Sequence, residues 1–186
     1  IDAEASAVLA SGEASPEQLV QLGLMMNNMA QAMGIPEKSV PYVEAALKAS
    51  EGTEDEKLAE KRLHLEITYA LQVEKDKDKA LELRYKSMPE GWKEDSNQLN
   101  NFAWWCFEND LNLEEALELA IKGAELAGSD GERANVLDTA AEICNALGNC
   151  DEAIAKIKQA IELDPDRQYF KDQLVKFEKA AEEKKG

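Results

Sequence analysis

Residues 137–165 read LDTAAEICNALGNCDEAIAKIKQAIELDP. Two apolar-periodic stretches flank the turn pair Gly148-Asn149. Leu137, Ala140, Ala141 and Cys144 recur at helical spacing in the first, and Ala153, Ile157 and Ala160 in the second, before Pro165 closes the segment. The spacing predicts two antiparallel helices. Alanines at 141, 153 and 160 let the helix axes approach closely, and the larger residues fill the space between them. Gly148 can adopt the positive φ that ends a first helix.

The same arrangement recurs towards the N-terminus. Leu99, Phe102-Ala103 and Cys106 match the first helix, and Ala116, Ala120 and Gly123 the second, with Asn112 and Glu115 as its cap. Leu19, Leu22-Gly23 and Met26 repeat the first-helix spacing again. Ser39, Val43 and Ala46 follow after a turn around Gly34-Ile35-Pro36. Residues 53–88 fit least well: Ile67-Thr68, Leu71, Ala80 and Ser87 agree, but His64 and Arg84 stand where large apolar residues are expected. Ser15-Pro16 with Gln18, Thr53 with Glu56, and Ser129 with Glu132 each read as a helix start. Asp164-Pro165 opens a last helix reaching about residue 184, with Tyr169, Phe170, Leu174, Phe177 and Ala181 along one side.

These spacings resemble the tetratricopeptide family, whose unit is a helix pair of about 34 residues with the pattern W-x2-L-G-x2-Y followed by A-x3-F-x2-A. The resemblance covers residues 16–184. It implies an all-α fold, an α-α superhelix (a solenoid) of about four helix pairs with a C-terminal capping helix. The units fall near 16–52, 53–92, 95–128 and 130–166, the cap occupies 167–184, and residues 1–14 are the remnant of a preceding helix or a linker. It also implies a scaffold for protein–protein interaction, with the first helices of successive units lining a concave groove. The matching groove positions are Asn97, Asn100, Asn101, Trp104 and Phe107 in the third unit and Asn135, Asp138, Glu142 and Asn145 in the fourth. In the second they are Arg62, Leu65, Glu66, Tyr69 and Gln72.

The third unit is the most informative of these. Asparagine is a poor interior helix former, yet three gather beside Trp104. An amide donates and accepts, which suits the backbone of an extended peptide, and tryptophan is a large rigid anchor of the kind that dominates interfaces. Trp105 reads as the packing member of the pair. Some family members hold a partner's terminal carboxylate with basic groove residues. Here the matching positions supply only Arg62, with Arg133 nearby, against Glu66, Asp138 and Glu142. The expected partner is therefore a protein or peptide presenting a neutral or basic extended segment.

Charge points the same way. The chain carries 38 acidic and 21 basic side chains, a net −17, which disfavours phosphate backbones and anionic lipid surfaces as partners. The last twenty residues depart from this balance, since Arg167, Lys171, Lys176, Lys179, Lys184 and Lys185 outnumber four acids. No apolar run reaches membrane-spanning length.

The sequence holds few groups suited to catalysis. The one histidine, His64, leaves no basis for a histidine metal site or a triad, and no Gly-rich phosphate loop occurs. The expectation is a non-enzymatic chain without cofactor or metal. Cys106 and Cys144 occupy one register position and read as core. Cys150 precedes a helix and is the candidate reactive thiol. A Cys144–Cys150 disulfide is disfavoured by the demanding geometry of such bonds.

Ile1 is not a methionine, so the chain reads as a processed form or a piece of a longer protein, with its compartment open (cytoplasmic or periplasmic if bacterial). Residues 1–9 are weakly similar to the closing helix of thioredoxin-fold domains. Residues 99–104, LNNFAW, resemble helical repeats attached to bacterial thioredoxin-like proteins. The alternative expectation is thus a C-terminal docking or regulatory module of such a protein. Without an obvious polar cap, the N-terminal end is the candidate surface for homo-oligomerisation.

Overall fold

The structure, a computed structural model, describes residues 2–185. Those residues are helical throughout, with turns and no strand among them, and the helices pack in neighbouring pairs. Contacts divide the chain into two units, Ile1–Met88 and Pro89–Gly186.

The first unit holds α1 (Asp2–Ser11), α2 (Pro16–Ala32), α3 (Val40–Ala49), α4 (Glu56–Tyr69) and α5 (Lys77–Lys86). Ser15 starts α2 with a full capping box: its hydroxyl accepts from Gln18 N–H at 3.2 Å, and Gln18 Oε1 accepts from Ser15 N–H at 2.8 Å. A 3-10 turn, Pro36–Ser39, leads into α3. The core joins Val20, Val43 and Ala46 to Leu65 of α4. At the crossing of α2 with α3, a Cβ on Gly23 would stand 3.0 Å from Ala46 Cβ and 3.2 Å from the Tyr42 carbonyl. Any side chain there would need Ala46 or the Tyr42 carbonyl to give way. Helix α1 packs on this pair through Ala5, Met26 and Tyr42, and Ser6 shares a 3.0 Å hydrogen bond with the Tyr42 hydroxyl.

The start of α4 differs from expectation. Asp55, not Thr53, caps it, its carboxylate accepting from Leu58 N–H at 2.9 Å, while Thr53 Oγ1 takes only the Asp55 N–H. A carboxylate at that position also meets the positive end of the helix dipole. Helix α4 runs on as a π-type turn, Ala70–Glu74, ended by Lys75 at φ 57°.

The second unit holds α6 (Ser96–Glu108), α7 (Leu113–Leu126), α8 (Asp130–Ala146), α9 (Cys150–Leu163) and α10 (Gln168–Lys185), preceded by a 3-10 turn, Trp92–Glu94. Leu99, Phe102, Ala103 and Cys106 of α6 are buried, as are Leu137, Ala140, Ala141 and Cys144 of α8. So are the small residues of the second helices, Ala116, Ala120, Gly123, Ala153 and Ala160. The repeating register is therefore the pattern of burial. Ser129 caps α8 by accepting from Glu132 N–H, but Glu132 turns back to Gly128 N–H instead of closing a box. Asn112 sits at the head of α7 with φ 44° and bonds the Glu115 carboxylate, giving no side-chain cap to the backbone. Helix α10 begins at Gln168, after a turn in which Arg167 N–H reaches the Asp164 carbonyl. It buries Phe170, Gln173, Phe177 and Ala181 against α8 and α9, while Tyr169 stays 45% exposed.

Candidate functional site

Helix α6 turns its apolar register inwards and leaves a polar and aromatic strip outside. Asn97 and Asn101 are exposed and Asn100 half-buried. Trp104 is half-buried, its ring 5.1 Å from that of Phe107. Trp105 lies on the core side, 6.3 Å from Phe102, which in turn lies 4.9 Å from Trp92. The Oδ1 atom of Asn100 is buried without a hydrogen-bond partner.

The equivalent positions of α8 are occupied from within the chain. Asn135 is exposed, but its Oδ1 accepts from Arg167 Nη1 at 2.6 Å. Asp138 and Glu142 are buried, at 8% and 5% exposure. Glu142 accepts from Lys176 Nζ at 2.6 and 2.7 Å and from Gln173 Nε2 at 2.6 Å. Gln173 also donates to the Tyr169 hydroxyl at 2.7 Å. The expectation of an open partner face at Asp138 and Glu142 is thus corrected: α10 lies over them. Burial, reinforced by Glu142, pushes the Asp138 carboxyl up to about 6, against the opposing effects of a Tyr169 hydrogen bond and the Arg167 and Lys176 charges. Burial and the Asp138 charge likewise raise the Tyr169 phenol.

Breaking one partner of a buried ion pair leaves the other uncompensated, at about 3–5 kcal/mol when both are buried. Lys176 is half-exposed, with 51% of its side-chain surface open. Lys176→Met should therefore lower stability by a smaller amount, about 1–2 kcal/mol, measured by urea unfolding. An unchanged midpoint would show that Gln173 alone satisfies Glu142.

In the first unit, Arg62 and Tyr69 tie α4 to α3. Arg62 Nη1 donates to the Leu47 carbonyl and, at 3.0 Å, to Ser50 Oγ, while its Nε pairs with Glu66 at 2.9 Å. The Tyr69 hydroxyl donates to Glu44 at 3.2 Å. Leu65, read as a groove position, is fully buried in the core. That segment fits the repeat pattern least, and neither Arg62 nor Leu65 is open to a partner. At the N-terminal end, Val8 of α1 and Met25 of α2 are exposed and line an open hollow with Leu22, Gln18 and Gln21.

All three cysteines are free. Cys144 is buried 3.9 Å from Glu152 Oε2, and burial together with that charge pushes its thiol up to about 11. It is therefore held as the unreactive thiol. Cys150, half-buried, is the first residue of α9 beside Asp151 and Glu152, at a hollow bordered by Lys184, whose Nζ bonds the Gly148 carbonyl. Among the described residues no group of three His, Cys, Asp or Glu side chains is placed to hold a metal. No helix among them is long and apolar enough to cross a membrane.

No family model and no curated protein matches this chain. The arrangement of its own side chains therefore carries the functional reading. The residues missed from the sequence are Arg167, just before α10, and Tyr169, Gln173 and Lys176 of α10. The available signal was the basic excess of the C-terminal segment set against the acids at 138 and 142.

Proposed function

We propose that the chain is a tetratricopeptide-like superhelical scaffold that binds a neutral or basic extended protein segment along α6. The observation that carries this is the contrast between two helices of one register. Positions 135, 138 and 142 of α8 are engaged by α10 and by Arg167 just before it, whereas Asn97 and Asn101 of α6 are exposed and Trp104 is half-buried beside them. Asparagine amides match the alternating donors and acceptors of an extended backbone, and the Trp104–Phe107 pair offers an aromatic seat beside them. The acidic surface speeds the approach of a basic segment and discourages an acidic one.

Replacing Trp104 and Asn101 together by alanine should abolish capture of partners from lysate and leave the far-ultraviolet helical signal intact. An unchanged set of captured partners sinks the assignment to α6.

A second reading makes the same surface the docking face of a larger, thioredoxin-like bacterial protein. The likeness of residues 99–104 to repeats attached to such proteins favours it. The coding sequence upstream of Ile1 distinguishes the two: an in-frame domain there supports the second reading, and a start codon supports the first.

A further inference from the structure

We propose that the seating of α10 on α8 is a proton-operated latch: a proton taken up at Asp138 tightens it, and ionisation of that carboxyl loosens it. The charges between the two helices are already engaged elsewhere. Lys176 faces both oxygens of Glu142, at 2.6 and 2.7 Å. Arg167 donates to Asn135 Oδ1 and lies 4.5 Å from the centre of the Phe170 ring. Both cations are thus directed to other groups. Asp138 is left 8% exposed, with the Tyr169 hydroxyl as its hydrogen-bond partner and with Oδ1 buried and unpartnered.

The ionisable groups around Asp138 are few. Glu142 shares its helix, Tyr169 and Lys176 face it from α10, and Arg167 from the turn just before α10. Helix α6, packed on α8, has Asn100 at the matching register position, and its one ionisable side chain apart from Cys106 is Glu108 at its C-terminal end. Glu152 and Lys156 of α9 act on Cys144, two turns along α8. On α7, Lys122 pairs with Glu94. The second unit contains no histidine, so no imidazole competes for control in this range. The remaining ties of α10, Lys184 to the Gly148 carbonyl and Lys158 to Glu178, run to the α8–α9 turn and to α9 without involving Asp138.

An ionised Asp138 therefore sits beside a second carboxylate without a cation of its own. Lifting α10 returns it to water and to ordinary acidity, so closure and proton uptake are linked. The carboxyl stands at about 6 when covered and at the usual 3.8 when free. A raised carboxyl contributes stability that is fully present below the free value and is lost as pH rises through the covered value. The latch is tightest below the free value and loosens as pH rises from there to the covered value, with little further change above it.

Amide hydrogen exchange of the full chain tests this, comparing residues 168–185 at pH 5 and pH 7.5 after correction for intrinsic rates, with α9 amides as reference. The linkage predicts that α10 opens about tenfold less often at pH 5. Asp138→Asn, which keeps the shape and removes the charge, should make the two protections equal. Equal protection in the unmodified chain overturns the proposal. So does a pH dependence that survives Asp138→Asn, because relief of the overall negative charge would then explain it. If that variant does not fold, the carbon-13 shift of the Asp138 carboxyl in the unmodified chain decides: a midpoint near 6 supports the latch, and one in the ordinary carboxyl range overturns it.

Discussion

Phe102→Ala should cost the second unit about 3–5 kcal/mol. Phe102 is 1% exposed and sits between two tryptophan rings, with Trp92 at 4.9 Å and Trp105 at 6.3 Å. Truncation removes the ring's transfer free energy and leaves a cavity. The surrounding rings belong to a short turn and a helix, and neither can collapse into the space without giving up its own packing. Urea unfolding followed by tryptophan fluorescence reads the effect directly, because Trp92 and Trp105 report the same site. A loss below about 1 kcal/mol would mean that the tryptophans close the gap and that the core is not centred on this residue.

The second large effect is a gain of volume. Gly23→Leu should destabilise the first unit by about 3 kcal/mol, the upper end for overpacking. The obstacle is Ala46 Cβ at 3.0 Å and the Tyr42 carbonyl at 3.2 Å, and a carbonyl held in a helix cannot move aside as a side-chain end does. Helix propensity acts in the opposite sense, since leucine in place of glycine favours a helix by up to about 1 kcal/mol. The steric cost is larger and sets the sign. Gly131 on α8 is the control: nothing lies within 4 Å of a Cβ built there, so Gly131→Ala should be neutral or stabilising by up to about 1 kcal/mol. Equal effects at both positions would reject close helix approach as the reason for glycine at 23.

Most of the helical register was legible because helical period and residue size are local properties. Leu99, Phe102, Ala103 and Cys106 could be placed on one inward face from spacing alone, and they are buried. Ser15 could be recognised as a cap because its partner, Gln18, is three residues away. Thr53 was misread since Asp55, two residues on, competes for the same helix end with a stronger acceptor. The candidate site divides along the same line. Spacing identifies which positions face away from the core: Asn97 and Asn101 of α6 are exposed, and Trp104 is half-buried. It cannot say whether another part of the chain comes to lie there.

That limit is clearest at Asp138, Glu142 and Arg62. The acids were recognisable as one face of α8, and the basic residues of α10 as another helix's polar side. Their meeting joins residues more than thirty positions apart and depends on how Phe170 and Phe177 seat α10. Arg62 is spent on Leu47 and Ser50 for the same reason, a neighbouring helix end brought within reach. Read from the chain alone, periodicity, caps and small-residue positions determine that the protein is helical and which faces turn inwards, because each depends on residues within a turn or two. Which outward faces stay open, and that a carboxyl at 138 is sealed while the nearby cations bond other groups, was decided only by tertiary packing. Burial and electrostatics act between side chains adjacent in space, whatever their separation along the chain.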